Sequence, residues 1–370
     1  MIHMDEKPAV GKKKRNFWFT ITHTKSMTAE EYKSAINKVI GTVGIVFLVS
    51  LLVFIALGFI GGIQQVVEAI LSSNLYLYAL AFLSVFIGYL ISFGKWTYFM
   101  RKLGIKVSLK KNLAVYLSLY SMDLTPGKIG RVVTAYTLSR ITKIKVFQVL
   151  PIVAMDTVTD FLGMAVVALA AAVYFNQFLL IVVVADFISI MPAFFVLNDW
   201  FFKLLKKLMK KSEYLEMITI YGEEYFASQS KLNSPRTYLV SMMFTIPSAI
   251  LYSLSLYFVI LAVTQTSFVL VAPVVPLGHT VLIYYTAQVI GSVTSLPGNI
   301  GVTDGALVAM LGSVLHFNAY DSSAITIMTR IASLWFGVLI GGVFLFYTLR
   351  YWNPTAKELK RLAKRKSKKN

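Results

Sequence analysis

Long stretches of this chain carry no charge. Residues 39–67, 69–94, 237–303 and 331–349 contain no Asp, Glu, Lys or Arg. Each is long enough for a helix of 18 or more residues to cross about 30 Å of bilayer hydrocarbon. Hydrophobic residues make up 57% of the 370 and charged residues 14%, against roughly 45–50% and 25% in soluble domains. The pattern predicts an all-α polytopic membrane protein with three parts: a basic segment over residues 1–38, a transmembrane domain over 39–350, and a basic tail over 351–370.

The charges set the topology. Of 36 Lys and Arg, 8 fall in residues 1–38, 11 in 95–145, 7 in 198–236 and 9 in 350–370; only Arg330 lies elsewhere. Basic segments stay cytoplasmic, so both termini are expected inside a cell (plasma or inner) membrane, against the anionic leaflet. The tail lacks the interleaved aromatics of a nucleic-acid site, and nucleic acid is not an expected partner. The polar start has neither an apolar core nor a small-residue cleavage site, unlike a signal peptide. With no cysteine, and with His3, His23, His279 and His316 scattered, no metal site or other cofactor is expected.

This topology predicts spans at residues 39–63, 75–94, 146–175, 178–197, 238–263 and 324–348. Residues 267–320 then start and end outside, as two full spans or one re-entrant hairpin. Between residues 198 and 211, Phe201, Leu204, Leu205 and Leu208 alternate with lysines at helical spacing, as in an interfacial amphipathic helix.

One pattern occurs twice: Pro126-Gly127-Lys128-Ile129-Gly130 and Pro297-Gly298-Asn299-Ile300-Gly301. The apolar stretches beside the first copy, residues 113–120 and 132–138, are too short to span, so it reads as a hairpin entering from the cytoplasm. If the second hairpin enters from outside, the two form an inverted repeat, an arrangement in which broken helices build a site near the midplane. The fold expected is therefore about six full spans plus two Pro-Gly hairpins, or about eight spans. Helices starting at Pro126 and Pro297 would aim free amides at an anion, and Lys128 and Arg131 would add cations at the inner mouth.

Six acids lie in or beside apolar segments: Asp123, Asp156, Asp160, Asp186, Asp304 and Asp321. Such residues face the bundle interior or water. Arg330, inside the last span, is expected to pair with Asp304 or, second, with Asp160. Asp123 and Asp321 read as interfacial caps, and Asp186 has no evident partner. No Ser-His-Asp set, HExxH or Walker loop is present, so no catalytic residues are assigned.

These motifs resemble the flippase-like membrane family named for the transmembrane region of lysylphosphatidylglycerol synthases, which includes archaeal members linked to polyprenyl-phosphate sugar assembly. The likeness covers most of residues 38–350. Thr125 to Arg131, with Ala135 and Tyr136, is similar to the family's first Pro-Gly motif, and Leu296 to Ala306 to its second. Asp156 and Asp160 fall on an acidic-Arg-x-x-Asp pattern, and Arg330 with Trp335 resembles the Arg of the last helices. The chain departs from the family pattern at several positions. Arg131 stands where Glu is usual, Thr134 and Thr157 where Arg is common, and Asp156 and Asp304 where Glu is common.

The resemblance implies a lipid-translocating part without the synthase domain. The expectation is a protein moving a phosphate-bearing lipid, phospholipid or polyprenyl-phosphate, between leaflets. The head group would meet Pro126, Gly127, Lys128, Gly130, Arg131, Asp156, Asp160, Pro297, Gly298, Gly301, Asp304 and Arg330. Two alternatives stand beside it: a membrane enzyme or accessory subunit of lipid glycosylation or aminoacylation, and an ion-coupled transporter of small solutes.

Overall fold

A computed structural model describes residues 29–200, 203, 213–265 and 277–351. Most of the amphipathic segment 198–211 lies outside them, as do the first 28 residues and the tail. Among the described residues the regular structure is helical.

The first span is α1 (Ala29–Gly61), which begins ten residues before the expected start. Val46, Ser50 and Leu57, spaced along one face, are buried, while Ile45, Leu48, Leu52 and Phe59 are exposed. That is the division expected of a helix with one face on the bundle and the other on lipid. A short helix, α2 (Ile63–Leu71), turns the chain into α3 (Leu75–Lys102). Asn74 caps α3 through the amides of Tyr76 and Leu77.

The first hairpin follows. It rises as α4 (Leu109–Leu117) and a 3₁₀ turn at Ser118–Met122, bends at Pro126–Arg131, and returns as α5 (Val132–Thr142). Next come α6 (Val146–Phe175), α7 (Leu179–Leu197), α8 (Glu213–Leu232) and α9 (Pro235–Thr264). The second hairpin is α10 (Leu277–Val293), the turn Pro297–Asn299, and α11 (Val302–Leu315). The chain closes with α12 (Ala319–Arg330), a π turn at Ile331–Trp335, and α13 (Phe336–Tyr351).

Among the described residues, six helical segments are long and apolar enough to cross a membrane, two of them (Pro297–Leu315 and Ala319–Arg350) running through a turn. Besides the early start of α1, the end of α3 differs from the sequence expectation. The run expected to end at residue 94 continues to Lys102, because Trp96, Phe99 and Met100 extend its buried face past Lys95. Helix α7 (Leu179–Leu197) falls on the run expected at residues 178–197, and a further long apolar segment is Pro297–Leu315 of the second hairpin.

Helices α3 and α9 run antiparallel. At one end the Asn74 amide donates to the Ala262 carbonyl (2.9 Å). At the other, Lys102 Nζ donates to Ser234 Oγ (2.7 Å). The first hairpin leaves and rejoins the bundle at the Lys102 end, between α3 and α6. The second does so at the Gln265 end, between α9 and α12, where Gln265 Nε2 donates to the Ser72 carbonyl (2.6 Å). The hairpins therefore enter from opposite ends, and the fold is an all-α polytopic bundle with inverted hairpins.

Their positions are fixed by close packing. A Cβ added to Gly341 of α13 would collide with the Ser121 amide nitrogen and lie 2.8 Å from the Tyr120 carbonyl carbon. Backbone cannot rotate away as a side chain can. Gly341→Ala should therefore cost about 1–3 kcal/mol, the range for overpacking, read as a lower thermal midpoint of the purified protein. Gly342→Ala next to it, with nothing within 4 Å, should be near neutral.

Candidate functional site

The two Pro-Gly turns share their backbone over the Gly-x pair and part at the second glycine, where Gly301 (φ 86°) is left-handed and Gly130 is not. Gly127 and Lys128 sit at φ 56° and 58°, Gly298 and Asn299 at 61° and 54°. Glycine enters the left-handed region freely, and Asn does so more easily than most residues. In each turn the amide of the fourth residue closes on the carbonyl of the residue before Pro: Lys128 on Thr125 and Asn299 on Leu296, both at 2.9 Å. The duplication seen in the letters is thus a duplication of structure.

Neither regular helix starts at its proline. Helices α5 and α11 begin at Val132 and Val302, beyond each motif's second glycine. At the second turn the Gly301 amide is already taken by Asp304 Oδ2 (2.6 Å), as in a capping box. At the first, the Gly130 amide donates to Thr125 Oγ1 (2.8 Å). The expectation of free amides at Pro126 and Pro297 is corrected accordingly. Irregular backbone among apolar helices needs internal partners, and these bonds supply them.

The two tips meet. The Gly298 position lies against Leu124 of the first hairpin and Leu334 of the last span, where an added Cβ would find side-chain carbons at 3.2 and 3.1 Å. Between tips and spans lies a cavity of about 220 Å³. Gly127, Lys128, Arg131, Gly298, Asp160 and Arg330 are among its walls. Five tyrosines, Tyr89, Tyr120, Tyr252, Tyr284 and Tyr285, line it too, giving it apolar rings with polar rims. Gly127, Ser295 and Leu296 border it and are exposed.

Asp123, Lys128, Arg131, Asp160 and Arg330 line this space, and Lys95, Asp156 and Asp304 pair with lining residues from behind. Lys95, wholly buried, lies 3.2 Å from Asp156 Oδ1 and 2.5 Å from Asp160 Oδ1. Its Nζ also donates to the Asp156 carbonyl (3.2 Å). Arg131, 2% exposed, donates from Nε to Asp123 Oδ1 (2.8 Å). Its Nη1 reaches Asp156 Oδ2 at 3.5 Å and Asp160 Oδ2 at 3.6 Å, and Thr157 Oγ1 at 3.3 Å. Asp156 and Asp160 share a face of α6, one turn apart, so one face meets both cations. Asp160, a third exposed, is the member that opens to the cavity.

The second cluster joins the last span to the second tip. Arg330 Nε lies 2.9 Å from Asp304 Oδ1, and its Nη2 donates to the Gly298 carbonyl (2.6 Å). A π turn follows immediately at Ile331–Trp335, and such turns are frequent at functional positions. Lys128 differs from the other three cations. It joins no ion pair among the described residues, and its Nζ lies 5.5 Å from the Phe161 ring centroid, within cation–π range.

Several expectations change in detail. Arg330 pairs with Asp304, and the second-choice pairing with Asp160 is not formed. Arg131 is no free donor at an open mouth, because three aspartates hold it. Asp123 is one of those three and not a cap, whereas Asp321 begins α12 under the Asn318 cap. Pro126, Gly130 and Pro297 shape the tips, and Gly301 anchors Asp304. Asp186 is buried and its Oδ1 has no hydrogen-bond partner in the protein. By sequence Lys95 falls in the basic segment 95–145 expected in the cytoplasm, yet it lies at the centre of the network. The aromatic run after it was the signal.

This architecture defines a multi-pass α-helical membrane protein in which two inverted Pro-Gly hairpins close a charged cavity inside the bundle. The chain belongs to the lysylphosphatidylglycerol synthase TM region family, whose sequence model matches residues 42–341. Among curated proteins nothing matches the chain.

Proposed function

We propose that the protein moves a phosphate-bearing lipid between the leaflets of a cell membrane, with its basic ends on the cytoplasmic side against anionic lipid. One observation carries this reading. Two broken hairpins from opposite ends meet at one cavity, which can then be reached alternately by small movements of either tip. A lipid phosphate is the ligand the side chains suit. The four cations and four carboxylates around the cavity sum to zero, but seven of the eight are tied into ion pairs. Lys128 is left to pair with an incoming anion, and the tyrosine hydroxyls can donate to its oxygens.

The geometry favours carriage over chemistry. Asp156 and Asp160 are both held by Lys95 and Arg131, which suits orientation better than the loose, titrating carboxyl of a general acid or base. We therefore propose no bond-making step for this chain. The small-solute alternative lacks a comparable argument, since a cavity walled by membrane helices and tyrosine rings suits an amphipathic cargo.

The test is the lipid that remains bound through purification, read by native mass spectrometry. A phosphate-bearing lipid should co-purify. Lys128→Ala should lower its retention by about tenfold or more, as expected for losing a charge-assisted hydrogen bond of roughly 1.5–3 kcal/mol. If the wild-type protein retains no phosphate-bearing lipid, or retains it equally with Ala at position 128, this reading fails.

A further inference from the structure

Four hydroxyls on α12 have no hydrogen-bond partner in the protein: Ser322, Ser323, Thr326 and Thr329. All are at most 1% exposed. Three of them, Ser322, Thr326 and Thr329, repeat at helical spacing on one face. The next position on that face is Ser333, which lines the cavity, with Arg330 beside it. The opposite face is apolar: Ala324 and Ile327 cluster with Leu57 of α1 and Val66 of α2. On α11, which packs against α12, Thr303 is also wholly buried and unpartnered, and it precedes Asp304.

A helical Ser or Thr inside a bundle ordinarily returns its hydroxyl to a carbonyl three or four residues back. Ser333 does so, to the Thr329 carbonyl at 2.7 Å, as do Ser241 and Ser248 of α9. The α12 hydroxyls do not. A buried hydroxyl left dry is costly, and a line of them is a setting in which ordered water is part of the structure.

We propose that the Ser322–Thr326–Thr329 face is a binding track for a file of water molecules. It runs from the end of the bundle opposite the basic one to the Asp304–Arg330 pair and the cavity. The turn before it, Asn318 to Tyr320, is exposed. From Ser322 to Ser333 the track covers roughly 16 Å at 1.5 Å per residue. Arg330 would repel a lone cation at its inner end, but Asp304 neutralises it, so water and small monovalent cations can approach. The track gives Asp304 aqueous contact that does not pass through the cavity between the tips. It does not depend on the lipid reading.

The natural absence of cysteine makes the test direct. Ser322→Cys, Thr326→Cys and Thr329→Cys are made singly in the full chain, with Ala324→Cys and Ala332→Cys as equally buried controls. The membrane-embedded protein is exposed to silver ion, a thiol reagent close to water in size. It is then unfolded and labelled with a fluorescent maleimide. The track positions should be protected by silver at least tenfold faster than the controls; equal rates overturn the proposal. A second measurement covers variants that fold poorly. Thr326→Val keeps the shape and removes the hydroxyl. A fall in thermal midpoint supports a hydrated hydroxyl, and a rise means a dry, unpaired one and overturns the track.

Discussion

Replacing Lys95 by Met should be the most damaging single change in the bundle. Its ammonium stands between Asp156 and Asp160 at 3.2 and 2.5 Å with no exposure of its own. Met fills a similar volume but leaves three carboxylates facing Arg131 alone. Breaking a buried pair by removing one partner costs about 3–5 kcal/mol, a large fraction of an ordinary protein's stability. The expected result is a sharp loss of folded, monodisperse protein on gel filtration. Lys95→Met combined with Asp156→Asn should recover a substantial part of the loss, since the surviving carboxylates are then fewer. If the double variant is as unstable as the sum of the singles, Lys95 acts by filling space and the network account is wrong.

Arg330→Gln is the second large effect, and with Arg330→Lys it should separate the contribution of the charge from that of the guanidinium fork. Arg330 holds the second hairpin twice, through Asp304 at 2.9 Å and the Gly298 carbonyl at 2.6 Å. Gln keeps some hydrogen-bonding capacity but not the charge, so Asp304 is left buried and uncompensated at a cost of about 3–5 kcal/mol. Arg330→Lys retains the charge while losing the fork that serves both partners at once. It should fold better than the Gln variant yet still loosen the tip at Gly298. Melting curves of the two, with Asp304→Asn/Arg330→Gln as the charge-balanced control, check this. Equal destabilisation by Lys and Gln would mean the fork, and not the charge, dominates.

Much of the architecture was legible because hydrocarbon imposes strict rules on sequence. Charge-free runs mark the first two and the later spans, and the largely apolar run at 146–175, despite Asp156 and Asp160, coincides with α6 (Val146–Phe175). The repeated Pro-Gly pattern exposed the hairpins, since both copies demand the same left-handed backbone. The Asp304–Arg330 pairing could be anticipated because a lone Arg inside a span needs a carboxylate.

What stayed hidden depends on helix ends and on three-dimensional neighbours. Lys95 looks like the end of a span because charge ordinarily marks the water boundary. Here the buried Trp96, Phe99 and Met100 carry the helix onward and leave the Lys inside. Arg131 looks like a free cation beside Lys128, yet Asp123, eight residues earlier, and two aspartates from α6 converge on it. Nothing in linear spacing announces that convergence. The π turn after Arg330 and the unpartnered hydroxyls of α12 likewise follow from packing, which no local pattern encodes.

The central claim is transbilayer movement of a lipid through the cavity between the hairpin tips, and its most direct measurement is a leaflet assay in proteoliposomes. A phospholipid and a polyprenyl-phosphate lipid, each bearing a fluorophore that an impermeant reductant can quench, are reconstituted with the purified protein. At least one should become fully quenchable far faster than in protein-free vesicles, and Lys128→Ala should slow that by about tenfold or more without lowering the thermal midpoint. If neither lipid crosses faster than in empty vesicles, or if the Lys128→Ala protein is as fast as the wild type, the account of this cavity as a lipid path is contradicted.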